Sequence, residues 1–151
     1  MSDEMALLVA DVFEAAGVLR RTGEGIAATQ GQTQARWQLL SVVSENPLTV
    51  PQAARRLGVA RQGVQRVAND LVHEDLAAFH ANPDHKGSPL LTLTGNGHRT
   101  LEAITSRATR ANGVIAEGIS PGELTAARDL LRRLIEQARR HQEHGPVDET
   151  P

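Results

Sequence analysis

The chain has 151 residues, of which 40% are hydrophobic, and its formal net charge is -2. This length and composition fit one domain with a substantial hydrophobic core. The absence of cysteine excludes disulfides, a thiolate zinc site and a cysteine-based redox sensor. Because the net charge is close to zero, binding to nucleic acid requires a locally basic surface.

Apolar residues at helical spacing predict a long first helix. They are Met5, Leu8, Val12, Ala16 and Leu19. Gly23 and Gly25 interrupt the pattern, so we expect the helix to end near them. A second amphipathic helix follows Thr33 and carries Trp37, the only tryptophan.

The segment 50–69 has the spacing of a helix-turn-helix. Thr49 and Gln52 predict a capping box at the start of its first helix. Gly58 ends that helix, because glycine adopts the left-handed conformation at little cost. We expect Val59 to be buried in the turn. Small or apolar residues face inward from the two helices: Ala53, Ala54, Leu57, Val64, Val67 and Leu71.

The outer side of the second helix predicts a surface that contacts DNA. Arginine bonds guanine O6 and N7, glutamine and asparagine bond adenine in the same two-point manner, and flanking arginines neutralise phosphates. No acidic residue lies between Asn46 and Asn69. The candidate residues are Arg55, Arg56, Arg61, Gln62, Gln65, Arg66 and Asn69. The alternative is an ordinary solvated face on a three-helix unit.

A two-stranded wing is predicted next along the chain. Ala77 and Phe79 lie at strand spacing, Leu91 and Leu93 alternate with threonines, and a charged, turn-rich segment separates the two pairs. Side chains at its tip would reach phosphates or the adjoining minor groove. The candidate residues there are His85, Lys86 and Ser88. The alternative is a solvated hairpin tip without a partner.

Two further helices follow the wing. Thr94 is expected to cap a helix that ends around Gly118, and Ser120 with Glu123 predicts a capping box for the next one. Their apolar stripes are Leu101, Ile104, Ala108, Ala111 and Ile115, then Leu124, Ala127, Leu131, Leu134 and Ala138. Because one small domain cannot cover this much apolar surface, we expect a second copy of the chain to do so. The alternative is packing within one chain.

The predicted fold class is therefore mainly α with a small two-stranded β wing. It is a winged helix-turn-helix with long N- and C-terminal dimerisation helices. We expect a single domain over 1–144, with a DNA-binding lobe at about 33–94 and dimerisation helices at about 3–28 and 95–141. Residues 145–151 are polar, contain proline and are expected to form a flexible tail.

Over about residues 32–101 the chain resembles the MarR family of regulators. The segments that carry the resemblance are, in order, TQARWQLLSVV, the helix-turn-helix, NPDHK and LTGNG. The resemblance implies a homodimeric winged-helix repressor or activator that binds palindromic operators, often released by a small aromatic or anionic ligand. Asp75 and Phe79 stand where the family usually has glycine and arginine, and the tip has lysine where the family's Asp-x-Arg has arginine. These changes predict a weaker or more salt-sensitive contact by the wing.

An effector pocket between the dimerisation helices and the DNA-binding lobe is a hypothesis that rests mainly on this resemblance. The candidate lining residues are Phe13, Trp37 and Leu40. A tryptophan in an amphipathic helix more often packs in the core, which is the alternative for Trp37.

Other classes of function find little support in the sequence. The six histidines lack a metal-ligand spacing, and there is no nucleophile elbow, phosphate loop or HExxH motif. We expect no catalysis, no metal and no cofactor. No apolar run reaches the length of a membrane span, and the start MSDEM lacks a secretion signal, so we expect a cytoplasmic protein. The predicted function is a DNA-binding transcriptional repressor; the alternative is a winged-helix protein-interaction module without sequence-specific DNA binding.

Overall fold

The computed structural model describes residues 3–145, which form six helices and one two-stranded antiparallel sheet. The elements are α1 (Glu4–Ala28), α2 (Gln34–Glu45), α3 (Val50–Leu57), α4 (Arg61–His73), β1 (Ala77–His80), β2 (Leu90–Leu93), α5 (Gly95–Ile115) and α6 (Pro121–His144). This order confirms the predicted fold class. Of the predicted tail, residues 146–151 lie outside the described part. None of the helices between residues 3 and 145 is both long and apolar enough to cross a membrane.

The first helix runs past the two glycines at which the sequence predicts its end. Gly23 is buried against α2, where a Cβ atom would lie 3.0 Å from Gln34 Cγ and 3.5 Å from the Trp37 ring. Glycine costs only about 1 kcal/mol in a helix, and here its small size allows α1 and α2 to approach closely. α1 therefore passes both glycines and continues to Ala28.

The core of the predicted DNA-binding lobe lies between α2, α3, α4 and the wing. Its largest fully buried side chains are Leu39, Leu40, Leu71 and Leu91. Burying one leucine contributes roughly 1.5–3 kcal/mol relative to leaving it exposed. β1 pairs with β2 in a register that sets Phe79 opposite Leu91, and Leu48 forms an isolated bridge to the same residue. The wing is thereby anchored to the helices that it follows.

The corner between α4 and β1 contains the only non-glycine residue with positive φ in the described chain, Asp75 (φ 58°). A left-handed L residue costs roughly 1–2 kcal/mol. Two hydrogen bonds from the start of α5 offset this cost. The Thr94 hydroxyl donates to the Asp75 carbonyl at 2.6 Å, and Asn96 Nδ2 donates to its carboxylate at 2.9 Å. The corner is therefore fastened to α5 although its left-handed residue is not a glycine.

The chain divides into two compact units, one ending at Arg110 and one beginning at Ala111. In the second unit α6 has no buried residue. Its large apolar side chains Leu124, Leu130, Leu131 and Ile135 are exposed, and of the predicted seam Leu134 alone is half-buried. The apolar stripe of α6 is thus uncovered in a single chain.

The predicted capping box at the start of α6 is confirmed. The Glu123 N–H donates to Ser120 Oγ at 3.1 Å, and the Ser120 N–H donates to Glu123 Oε2 at 2.8 Å. The backbone hydrogen bond from Ser120, followed by the bond with its side chain, lowers the pKa of Glu123 from its ordinary value of 4.5. A carboxylate with a lowered folded pKa adds stability above the unfolded pKa and loses it as pH falls through the folded pKa.

The box can be tested by the titration of Glu123. We expect Ser120→Ala to raise the pKa of this carboxyl part of the way back toward 4.5, because the hydroxyl is lost and the backbone N–H remains. Ser120→Thr keeps a hydroxyl and should leave the pKa where it is. NMR titration of the carboxyl carbon measures both pKa values. Equal values in the alanine variant and the parent would show that the Ser120 hydroxyl does not stabilise the Glu123 carboxylate.

Candidate nucleic-acid interface

The helix-turn-helix begins and ends as its sequence predicts. Gln52 N–H donates to Thr49 Oγ1 at 3.2 Å, and Thr49 N–H donates to Gln52 Oε1 at 2.9 Å, which completes the capping box of α3. Gly58 follows α3 in the left-handed conformation, with φ 69° and ψ 34°. Ala53 and Ala54 are buried in the lobe's core. Two short side chains at this position let α3 and α4 cross closely.

Val59, at the turn, differs from its prediction. It is 52% exposed and not buried. Its backbone N–H donates to the Ala54 carbonyl at 3.1 Å, which closes the turn through the main chain while the side chain stays in solvent. Along α4 the buried stripe is Val64, Ala68 and Leu71. Val67, predicted to belong to this stripe, is half-buried because Ala68 occupies the position one turn after Val64.

The opposite side of α4 is exposed over all five predicted positions, and we call it the α4 outer face: Arg61, Gln62, Gln65, Arg66 and Asn69. Gln65 Nε2 donates to Asn69 Oδ1 at 2.9 Å, one turn along the helix. This bond orders both amides and leaves the Gln65 oxygen and an Asn69 N–H free for a base edge. Arg61 and Arg66 take part in none of the ion pairs described between residues 3 and 145.

The two arginines of α3 have different surroundings. Arg56 Nη2 lies 2.6 Å from Glu45 Oε2, and both side chains are more than half exposed. Arg55 is exposed and has no ion pair within the described chain. Because an exposed ion pair contributes only about 0–1 kcal/mol, Arg56 can exchange its carboxylate for a phosphate at little cost.

The wing and the start of α4 border a groove of about 300 Å³. Arg61, Gln62 and Gln65 line it from α4, and Phe79 and Ser88 line it from the wing. Three predicted DNA contacts of α4 and one of the wing therefore share a single groove. Phe79 gives this groove an apolar wall.

A second recess, of about 540 Å³, brings His85 of the wing close to Arg55 of α3. Two hydrogen bonds shape the tip itself: Asp84 N–H donates to Asn82 Oδ1 at 3.0 Å, and His85 N–H donates to the Asn82 carbonyl at 3.3 Å. Lys86 is exposed at this tip and lines neither recess. In the part of the chain from 3 to 145, no three histidine or acidic side chains are grouped to hold a metal.

The three candidates for an effector pocket are not brought together in the chain. Trp37 is half-buried beside Gly23, and Leu40 is completely buried in the core. Phe13 is 75% exposed on α1 and lies ten residues before Gly23, a distance of about 15 Å along the helix axis. Of these three residues, Trp37 alone combines an aromatic ring with partial exposure at a helix crossing.

Arg36 is the residue near the interface that the sequence did not reveal. Its Nη1 lies 2.5 Å from Glu74 Oε2, and its Nη2 lies 3.7 Å from Asp70 Oδ2. The bridge ties the start of α2 to the last turns of α4. Arg36 and Glu74 are 38 residues apart, so no local spacing pattern could have indicated the pair.

The sequence of the chain matches a known protein family and several relatives. A family model described as MarR family matches residues 30–86, from just before α2 to the wing tip. An uncharacterized protein of Mycobacterium tuberculosis (strain ATCC 25618 / H37Rv) is 67% identical over 135 residues, covering 89% of this chain and 94% of that protein. The transcriptional activatory protein BadR of Rhodopseudomonas palustris is 24% identical over 134 residues, which cover 85% of this chain and 77% of that protein.

Solved structures show the same fold. A MarR/EmrR family transcriptional regulator from Acinetobacter sp. ADP1 has a TM-score of 0.81 at 18% identity, covering 93% of this chain and 100% of that one. CouR from Rhodococcus jostii RHA1, bound to p-coumaroyl-CoA, has a TM-score of 0.75 at 19% identity, covering 87% and 92%. The helix-turn-helix, the wing and the match of the family model agree: the chain belongs to the MarR family of transcriptional regulators.

Proposed function

We propose that the protein is a homodimeric repressor that binds a palindromic operator. Membership of the MarR family supports DNA-binding transcriptional regulation. The observation that carries the proposal is the α4 outer face, where two arginines and three amides are exposed with no acidic residue among them. These are the side chains that bond guanine and adenine edges in the major groove. Occupation of a promoter by such a protein blocks transcription.

Dimerisation is proposed because large apolar side chains remain exposed on both terminal helices. Met5, Leu7 and Phe13 on α1 and Leu124 and Leu131 on α6 are uncovered in one chain. A second copy would cover such faces, and a two-fold dimer would present two α4 helices about 34–36 Å apart, one turn of DNA. The two basic faces then act in one binding event, which multiplies the phosphate contacts.

A small aromatic or anionic effector is proposed to release the operator, with Trp37 in the wall of its site. CouR, a protein of the same fold, was solved with p-coumaroyl-CoA, an aromatic and anionic ligand. Because Trp37 is the only tryptophan, its fluorescence reports this site alone. A panel of aromatic acids should include one that changes the emission and weakens operator binding; constant emission across the panel would remove Trp37 from the proposal.

The competing function is a protein-interaction module, which Phe79 favours by placing an apolar side chain in the groove beside α4. Selection of bound duplexes from a random pool at two salt concentrations separates the two functions. The proposal predicts a palindrome with half-sites one turn apart and an affinity that falls steeply with salt, because bound counterions are released from the phosphates. No enrichment at the lower salt concentration would favour the module.

A further inference from the structure

Arg36 joins two helices at a point remote from the start of α4. Its guanidinium contacts both Asp70, in the last turn of that helix, and Glu74, directly after it. The Arg36 side chain is 21% exposed, compared with 54% for Arg56 in the other described ion pair. A planar guanidinium with several fixed N–H donors can hold two carboxylates at once, which a lysine ammonium does less well.

The same turn of α2 is also fastened to α1. The Gln34 N–H donates to Glu24 Oε2 at 3.2 Å, and Gly23 lets α1 approach Gln34 and Trp37. On its other side, the corner after Glu74 is tied to the start of α5. The far end of α4 is therefore held from two sides by polar contacts that leave the α4 outer face untouched.

A small tilt of α4 about its C-terminal end displaces its N-terminal end by a few ångströms. α4 has 13 residues and is therefore about 20 Å long. If one end is held, a tilt of about 10° moves the other end by about 3 Å, which is close to the rise of about 3.4 Å between base pairs. A dimer whose two α4 helices are free to tilt would thus discriminate less strongly against operators whose length differs by one base pair.

We propose that Arg36 is a positioning residue that fixes the direction of α4 against α1 and α2, and thereby the spacing of the two half-sites that a dimer accepts. This inference rests on the proposed function, because only a dimer on a palindrome senses that spacing. Arg36 contacts neither bases nor phosphates in this role. It acts through Glu74 and Asp70.

The test compares the dissociation constants of three kinds of duplex at one salt concentration. They are a single half-site, the selected palindrome, and the palindrome with one base pair inserted or removed between half-sites. For Arg36→Gln we expect half-site binding to stay within about twofold, since the α4 outer face is intact. Binding to the palindrome should fall about tenfold, and the penalty for altered spacing should shrink.

Variants of the partners grade the effect. Glu74→Gln should reproduce the loss, and Asp70→Asn should produce a smaller one, because its contact with Arg36 is 3.7 Å long against 2.5 Å. The charge exchange Arg36→Glu with Glu74→Arg should restore both the affinity and the spacing penalty. Arg20→Gln removes an exposed arginine of α1 that has no ion pair in the described chain and serves as the matched control.

Equal losses on the half-site and the palindrome would overturn the inference, because Arg36 would then support the fold or the outer face itself. So would a spacing penalty that is the same in Arg36→Gln and the parent. These two outcomes can be measured only if the parent protein selects a palindrome. If the parent binds no operator at all, the proposed function fails, and this inference fails with it.

Discussion

Replacing Gly97 with alanine should lower the free energy of unfolding by about 3 kcal/mol, at the upper end of the usual range for overpacking. A Cβ atom at this position would lie 1.9 Å from the carbonyl oxygen of Leu76 and 2.9 Å from its carbonyl carbon. These are backbone atoms, so no side-chain rotation relieves the clash. The same carbonyl accepts the Thr94 N–H at 3.2 Å, and a shift that makes room for the methyl group would break this bond.

Gly113→Ala is the control for the Gly97 substitution, because both glycines lie in α5 and a Cβ atom at 113 would meet nothing within 4 Å. There the substitution should raise stability by up to about 1 kcal/mol, the difference in helix propensity. Urea unfolding of the two variants and the parent, extrapolated to water, measures both changes. A loss below about 1 kcal/mol for Gly97→Ala would contradict the close approach of α5 to the corner after α4.

The helix starts were predictable because their signals are local. In both capping boxes a hydroxyl accepts a hydrogen bond from the backbone N–H three residues ahead. The pairs Thr49 with Gln52 and Ser120 with Glu123 are therefore recognisable within four residues of sequence. The left-handed Gly58 is local in the same sense. The order of helices and wing then followed from periodicity, since each face needs a partner layer.

Gly23 and Val59 differ from their predictions for two separate reasons. Gly23 resembles a helix terminator in sequence, but the helix crossing with α2 makes it an interior residue of α1. Val59 resembles a core residue by type and spacing, and main-chain closure of the turn leaves it exposed. The Gly23 outcome depends on atoms of α2, which lie outside any window of neighbouring residues. The Val59 outcome depends on a local main-chain bond to Ala54, which the type and spacing of the side chain do not indicate.

The interface shows the same division. The identities on the α4 outer face followed from its period of 3.6 residues. The neighbours of each basic residue could not be predicted in this way. Arg56 pairs with Glu45, Arg61 shares a groove with Ser88, and Lys86 does not line that groove. The first relation depends on how α3 packs on α2, and the other two depend on how the wing folds back toward α4. The expected roles of these side chains therefore follow only once the structure is known.

Arg61→Ala should weaken binding to the selected operator by roughly 1–3 kcal/mol, about 5- to 150-fold, and relax the preference for one base. Arg61 is the first residue of α4, is exposed, and lines the groove shared with the wing. Lys86→Ala should weaken selected and scrambled duplexes alike and reduce the slope of log K against log salt by about 0.9, the value for one phosphate contact. Lys86 is a point charge at an exposed tip, so it carries little base information.

Titrations of both variants on selected and scrambled duplexes, at several salt concentrations, measure the difference between these two roles. Arg20→Ala, which removes an exposed arginine of α1, is the control and should change neither the base preference nor the salt slope measurably. Equal losses for Arg61→Ala on both duplexes would make it a phosphate contact and move base recognition further along α4. A selective loss for Lys86→Ala would place base recognition in the wing despite the replacement of its arginine, since only a contact with base edges distinguishes one duplex sequence from another.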